Sequence, residues 1–166
     1  MIDDSLEAAL NEQMNLEFAS AHIYLAMAAH LDHLNLAGGA SWMRLQAQEE
    51  TGHAMRFFDH IQDRGGRVRI GAVDAPPQDF GSPLATFERA LEHERKVTAS
   101  INALAEQADR ASQVFLDWFI AEQVEEERTV EQIVGSLRLA GESGAALLML
   151  DRELGARTNG AAPTQA

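Results

Sequence analysis

Apolar residues recur along this chain in steps of three and four, the spacing that places side chains on one face of an α-helix. Four long segments carry such a stripe, at about 4–33, 38–64, 83–109 and 112–140. A short leucine-rich segment at 144–154 follows Gly141 and Ser143, which are helix-stop and helix-start residues, and predicts a fifth helix. The pattern therefore predicts an all-α fold.

Residues typical of helix ends support these boundaries. Asp4, with Glu7 three positions later, predicts a capping box at the start of the first helix. Ser82 precedes a proline, which is the pattern of an N-cap followed by the first helical position. Ser112 is expected to cap the fourth helix, and Gly65-Gly66 to end the second.

The connections predict the topology. Two of them are short, so the first and second helices are antiparallel, as are the third and fourth. Residues 66–82 have no helical period, and about 17 residues can span at most ~55 Å, which exceeds the ~40 Å length of these helices. We therefore expect an up-down-down-up four-helix bundle with a long crossover between the second and third helices. One domain covers residues 1–156, and 157–166 is predicted to be a disordered tail.

Each apolar stripe is interrupted near its middle by residues that can bind metal. They are Glu17 in the first helix, Glu50 and His53 in the second, Glu94 in the third, and Gln123 and Glu126 in the fourth. Counted from one end of the bundle, their depths differ by at most six residues, or about 9 Å, so their side chains can meet. The Glu-x-x-His pair alone is a weak signal, although its two side chains share one helix face.

Four buried carboxylates require a source of positive charge. A single buried glutamate is more often a protonated core residue, but four ionised ones would each cost several kcal/mol and repel one another. No Lys or Arg lies on the stripes, so two divalent cations are the expected partners, with Glu50 placed to bridge them. A ligand set of carboxylates and one imidazole suits iron or manganese better than structural zinc. A metal-free scaffold with protonated carboxylates remains an alternative.

Composition narrows the class of protein. The 166 residues include 26 Asp and Glu against 13 Lys and Arg, a formal net charge of −13, which disfavours nucleic acid and anionic membranes as partners. No apolar run reaches transmembrane length. The chain has no cysteine and an acidic start, so a reducing cytoplasm is the expected location.

The motifs resemble those of the ferritin family, and within it the bacterial non-haem ferritins, over about residues 5–156. The similar stretches are Asn11-Glu12-Gln13-Met14-Asn15-Leu16-Glu17, Ala47-Gln48-Glu49-Glu50 with His53, His93-Glu94, Glu122-Gln123 with Glu125-Glu126, and Leu139-Ala140-Gly141. The resemblance implies a hollow shell of twenty-four identical subunits. It also implies a ferroxidase that oxidises Fe²⁺ with O₂ or H₂O₂ and stores the product as hydrous ferric oxide.

The resemblance also assigns roles to residues. It implies one iron held by Glu17, Glu50 and His53, and a second held by Glu50, Glu94 and Glu126 with Gln123 alongside. A third iron site nearby would use Glu49, Glu122, Glu125 and Glu126. Tyr24 matches a tyrosine beside the centre, where either a redox role or a packing role with a satisfied hydroxyl is expected.

Departures from related families exclude two further interpretations. Bacterioferritin-like proteins have a haem-binding methionine directly after the bridging glutamate, where this chain has Thr51, so no haem is expected. A DNA-protecting mini-ferritin would have a basic tail and no fifth helix. In this chain the start is acidic and Arg157 is the tail's only basic residue.

Overall fold

The computed structural model describes residues 2–158, and these form five helices. They are α1 (Asp4–His33), α2 (Ala37–Asp63), α3 (Pro83–Gln107), α4 (Arg110–Ala140) and α5 (Gly144–Gly155). No strand occurs in this part of the chain, and the predicted all-α fold is confirmed. The disorder predicted for the tail lies outside the described residues from residue 159 onward.

Two predicted caps are wrong by a few residues. Asp3, and not Asp4, caps α1, because its carboxylate accepts the N–H of Leu6 at 2.9 Å. Asp109 caps α4 by accepting the N–H of Ser112 at 2.9 Å, so the helix begins at Arg110 and Ser112 lies inside it. In both cases an aspartate close to the predicted residue offers the same capping chemistry, and the sequence pattern does not separate such neighbours.

Hydrogen bonds between helices establish the direction of each helix. They join Gln13 to Ser100 and Ser20 to His93 between α1 and α3, and Gln46 to Glu126 and His60 to Ser112 between α2 and α4. Within each pair of helices the residue numbers rise on one helix as they fall on the other, so both pairs are antiparallel. With the two short connections, this gives the predicted up-down-down-up order.

The long crossover runs along the outer side of α1 and is held there by side chains from that helix. The backbone N–H groups of Arg67, Arg69 and Gly71 donate to Glu7, Asn11 and Asn15, at 2.9, 2.6 and 2.7 Å respectively. The two asparagine amides also donate to carbonyl groups of the crossover. These hydrogen bonds form a ladder, in which side chains four residues apart on α1 meet N–H groups two residues apart on the crossover. The two spacings match because four residues of a helix rise about 6 Å and two residues of an extended chain rise about 6.6 Å.

Helix α5 packs on the start of α2 and supplies its cap. The N-cap residue of α2, Leu36, makes no side-chain capping bond. Instead the Asp151 carboxylate accepts the N–H groups of Gly38 and Gly39, at 3.1 and 2.8 Å. The approach is so close that a Cβ on Gly38 would lie 1.7 Å from the Asp151 carbonyl oxygen. Gly38 therefore has to be a glycine for α5 to dock.

Apolar packing occurs in two separate clusters, one at each end of the bundle. One cluster surrounds Trp42 and Phe87 and includes residues of α5, and the other surrounds Phe57 and Phe119. A layer of buried polar side chains lies between them. Among the described residues, no helix has the length and apolar character needed to cross a membrane.

We predict that Gly38→Ala detaches α5 and lowers the free energy of unfolding by several kcal/mol, because the added methyl group overlaps the Asp151 backbone. The matched control is Gly135→Ala in α4, where a Cβ meets nothing within 4 Å. That change should be neutral or stabilising by up to about 1 kcal/mol. Denaturant unfolding of both variants checks this, and equal stabilities would contradict the proposed role of Gly38.

Candidate metal centre

The polar layer is built from the middle of each of the four long helices. Its buried members are Gln13, Glu17, Gln46, Glu50, His53, Glu94, Gln123 and Glu126. Residues one or two helical turns away on the same stripes are apolar, so packing in the two clusters fixes the register at which these side chains meet. All six carboxylate, amide and imidazole residues predicted at mid-stripe are buried in this layer.

Glu17, Glu50 and His53 form the most compact part of the layer. One ligand atom from each lies within 4.8 Å of the others. His53 Nδ1 is 3.4 Å from Glu50 Oε2. The Oε2 atoms of Glu17 and Glu50 are buried without a hydrogen-bond partner, which is unusual inside a protein. Two carboxyl oxygens without a hydrogen-bond partner, beside an imidazole, are donors that could hold a divalent metal ion.

Glu94 lies in the same layer but its oxygens have protein partners. Oε1 accepts a hydrogen bond from the Tyr24 hydroxyl, and Oε2 accepts one from Gln123 Nε2 at 3.2 Å. Tyr24 is fully buried. Its hydroxyl is therefore satisfied by one of the predicted ligands, and Gln123 contacts that same ligand.

Two glutamines that the sequence reasoning missed support the predicted ligands. Gln13 Nε2 donates to Glu17 Oε1 at 2.7 Å, and Gln46 Nε2 donates to Glu126 Oε2 at 2.8 Å. Each glutamine lies four residues before a stripe glutamate on its own helix, Gln13 before Glu17 and Gln46 before Glu50. Residues at that spacing share a helix face, so the spacing was the available signal.

The residues predicted for a third iron site are less closely gathered. Glu49 points away from Glu50, and its Oε2 lies 2.7 Å from Arg157 Nη2. Glu122 is half-buried and Glu125 is exposed. In the described part of the chain, none of these three belongs to the compact group of ligand atoms.

Aromatic residues hold the His53 ring in place. Trp118 and Phe119 meet it edge to face, with ring centroids 5.5 and 5.7 Å away. The Arg56 guanidinium lies over Trp118, 3.7 Å from the ring centroid. A ring packed on two sides loses little further freedom when it binds an ion, so the imidazole is preorganised as a ligand.

Burial raises the pKa of every carboxyl in the layer. For Glu17, burial raises the pKa well above its ordinary value, and the charge of Glu50 raises it further. The pKa of Glu50 is also raised well above that value by burial and by the charge of Glu94. Burial raises the pKa of Glu94 despite its hydrogen bonds from Tyr24 and Gln123. It also raises the pKa of Glu126 to about 7. These shifts favour the protonated carboxyl groups when no cation is bound, and a bound cation would replace the protons.

The fold and this layer define a four-helix bundle with a carboxylate-rich site in its core, an arrangement known to hold metal ions between facing helices. The family model for a ferritin-like domain matches residues 7–140. The chain belongs to the ferritin family, as its motifs had indicated.

Relatives cover nearly the whole chain. A bacterial non-heme ferritin from Bacteroides fragilis is 40% identical over 161 residues, spanning 95% of this chain and 100% of the relative. One from Staphylococcus aureus is 42% identical, spanning 95% and 98%. An open pore ferritin from the hyperthermophilic archaeon Archaeoglobus fulgidus has a TM-score of 0.94 and 49% identity, spanning 95% and 100%. The predicted ferritin-like fold is confirmed, and membership of the family supports iron binding and iron storage.

We predict that the metal-free protein becomes less stable as pH rises from about 4.5 to 7. In this range folded Glu126 retains a proton that the unfolded chain, with a glutamate pKa near 4.5, releases. Its contribution is about 3 kcal/mol, lost as pH rises through the folded pKa. Urea unfolding with chelator at several pH values measures the effect.

The variant Glu126→Gln should reduce this pH dependence, because an amide does not titrate, while Glu17, Glu50 and Glu94 with their raised pKa values keep part of it. Glu106→Gln, at an exposed position of α3, is the matched control and should behave as the wild type. An unchanged pH slope in Glu126→Gln would show that this carboxyl is not the group responsible.

Proposed function

We propose that this protein is a ferroxidase of the bacterial non-haem ferritin type. It oxidises Fe²⁺ at a di-iron centre inside each subunit and stores the Fe³⁺ as hydrous ferric oxide within a hollow shell of twenty-four copies. The observation that carries the proposal is the buried group of Glu17, Glu50 and His53, with two carboxylate oxygens that have no hydrogen-bond partner. Buried anionic oxygens without partners are costly unless a cation binds between them.

Iron is the substrate, and each residue has a distinct task. Glu17, Glu50 and His53 hold the first Fe²⁺, and Glu50, Glu94 and Glu126 hold the second. The hydrogen bonds of Gln123 to Glu94 and of Gln46 to Glu126 orient these carboxylates for binding. Their raised pKa values mean that Fe²⁺ binding releases protons.

Carboxylate oxygens are hard anionic ligands, so the site stabilises Fe³⁺ relative to Fe²⁺ and favours oxidation. Each Fe²⁺ gives up one electron. Two electrons and two protons convert one O₂ to H₂O₂, or one H₂O₂ to two water molecules. Tyr24 belongs to this centre because its hydroxyl donates to Glu94, and there it orients the ligand.

Surface features support the proposed shell. Leu139 is 91% exposed and Met149 on α5 is 72% exposed, and apolar residues this exposed suit contacts between copies of the chain. The acidic composition supports a protein that binds neither nucleic acid nor membrane, and the lack of cysteine supports a cytoplasmic location. Thr51, which follows Glu50 and donates to the Ala47 carbonyl at 2.9 Å, supports a subunit without haem.

The test is anaerobic addition of Fe²⁺ to the metal-free protein, followed by O₂, with ferric absorbance as the signal. We predict that Glu50→Gln lowers the oxidation rate by about 100-fold, because the change removes the shared ligand. It should not unfold the subunit, since it replaces a buried carboxyl group, one oxygen of which has no hydrogen-bond partner, with a neutral amide of the same shape.

Glu106→Gln again serves as the control and should oxidise iron at the wild-type rate. Electron microscopy of the oxidised sample should show a hollow sphere with a dense ferric core. Wild-type rates in Glu50→Gln, or no oxidation above the protein-free background in the wild type, would favour the metal-free scaffold instead.

A further inference from the structure

The hydroxyl of Ser100 on α3 donates its proton to a different helix. A Ser or Thr inside a helix often donates to the carbonyl four residues earlier, as Ser20 does to Leu16 at 3.0 Å. The Ser100 hydroxyl instead donates to Gln13 Oε1 on α1, at 2.6 Å. A hydroxyl has a single proton to donate, so the proton of Ser100 is committed to this contact between helices.

The buried amide of Gln13 connects Ser100 to a carboxylate of the metal centre. Gln13 is only 2% exposed, and its Nε2 donates to Glu17 Oε1 at 2.7 Å. An amide has one donor end and one acceptor end, so the nitrogen that faces Glu17 leaves the oxygen to face Ser100. The hydroxyl donates to that oxygen, and both ends of the amide are therefore paired. The result is a chain of hydrogen bonds from a partly exposed residue of α3 to a fully buried ligand on α1.

This chain of hydrogen bonds determines which oxygen of Glu17 is left for an ion. Oε1 accepts from Gln13, whereas Oε2 is buried with no hydrogen-bond partner. Glu17 also supplies one of the three ligand atoms, with Glu50 and His53, that lie within 4.8 Å of one another. A carboxylate already held through one oxygen loses less freedom when the other binds an ion, so the hydrogen bond from Gln13 should raise the affinity of the site.

A second hydrogen bond joins α1 and α3 on the other side of Glu17. His93 Nε2 and Ser20 Oγ are 2.8 Å apart. On each helix this contact lies seven residues, or about two turns, from the contact of Ser100 with Gln13. In the described part of the chain, neither of its partners is hydrogen-bonded to a carboxylate of the layer. It therefore provides a comparison for the effect of joining the two helices alone.

We propose that Gln13 and Ser100 are positioning residues of the metal centre, which hold Glu17 so that Oε2 faces the ion shared with Glu50 and His53. Neither residue contacts the ion, and Ser100 acts only through Gln13. The inference rests on the proposed function and extends it, since a hydroxyl on α3 then helps to set the affinity of a site formed by α1 and α2.

The test is a calorimetric titration of the assembled, metal-free full chain with Co²⁺, whose visible spectrum also reports on its ligands. Gln13→Met keeps a side chain of similar size and removes both hydrogen bonds. We expect it to weaken binding of the tightest Co²⁺ ion by about 10- to 100-fold and to change the spectrum of that ion.

Variants of Ser100 test the outer end of the chain of hydrogen bonds. Ser100→Ala should weaken binding of the same ion about fivefold, the effect of losing one neutral hydrogen bond. This variant should fold, because the position is partly exposed and alanine favours a helix. Ser100→Thr keeps the hydroxyl and should bind Co²⁺ as the wild type does.

A double variant separates positioning from packing. Because Ser100 acts through Gln13, adding Ser100→Ala to Gln13→Met should cause no further loss of Co²⁺ affinity, whereas two independent packing effects would add. The control Ser20→Ala removes the other hydrogen bond between α1 and α3. It should keep the Co²⁺ affinity within about twofold of the wild type, whatever loss of stability urea unfolding shows.

Three results would overturn the inference. They are wild-type Co²⁺ affinity in Gln13→Met and Ser100→Ala, additive losses in the double variant, and a loss in Ser20→Ala equal to that in Ser100→Ala. Failure of the proposed function would look different, because the wild type would then bind no Co²⁺ tightly, or Glu50→Gln would bind it as tightly as the wild type. Tight binding that Glu50→Gln weakens and Gln13→Met leaves unchanged would overturn only the inference.

Discussion

The concentration of carboxylates at the centre of the bundle is the constraint on which the rest of the structure depends. Burial and mutual repulsion oppose ionisation of Glu17 and Glu50, as their raised pKa values show. The layer contributes little to stability by itself, so the two apolar clusters on either side must hold the helices together. The arrangement of carboxylates therefore suits a bound cation and lowers the stability of the protein without one.

Most of the helical architecture could be predicted from the spacing of apolar residues, because a period of 3.6 kept over more than twenty residues is typical of a long helix and not of strands or loops. The mid-stripe residues could be predicted for the same reason, since Glu17 and Glu94 occupy positions where a core side chain was due. Cap positions were less certain because Asp3 and Asp4 are adjacent and chemically alike. Sequence spacing does not show which of the two has the extended backbone of a cap.

Contacts between distant segments could not be predicted where they lie outside the apolar stripes. Arg157 and Gln46 are 111 residues apart, and nothing in either local pattern indicates their contact. The docking of α5 on Gly38 is similar, since the sequence shows a glycine but does not show what approaches it. Such contacts depend on the assembled positions of several helices, whereas periodicity reports one helix at a time.

The ladder between α1 and the crossover gives part of a loop the register of a β-strand. The backbone groups of alternate residues 67, 69 and 71 face the helix. Asn11 binds the backbone of residues 67 and 69, and Asn15 binds the backbone of residues 69 and 71. Deleting one residue here would present the wrong peptide groups to both asparagines, whereas deleting two would shift the pairing by one helical step. A change in length is therefore expected to be tolerated best at residues 72–78, between this ladder and the contact of His30 with the Gly81 carbonyl, although the whole segment lacks regular secondary structure.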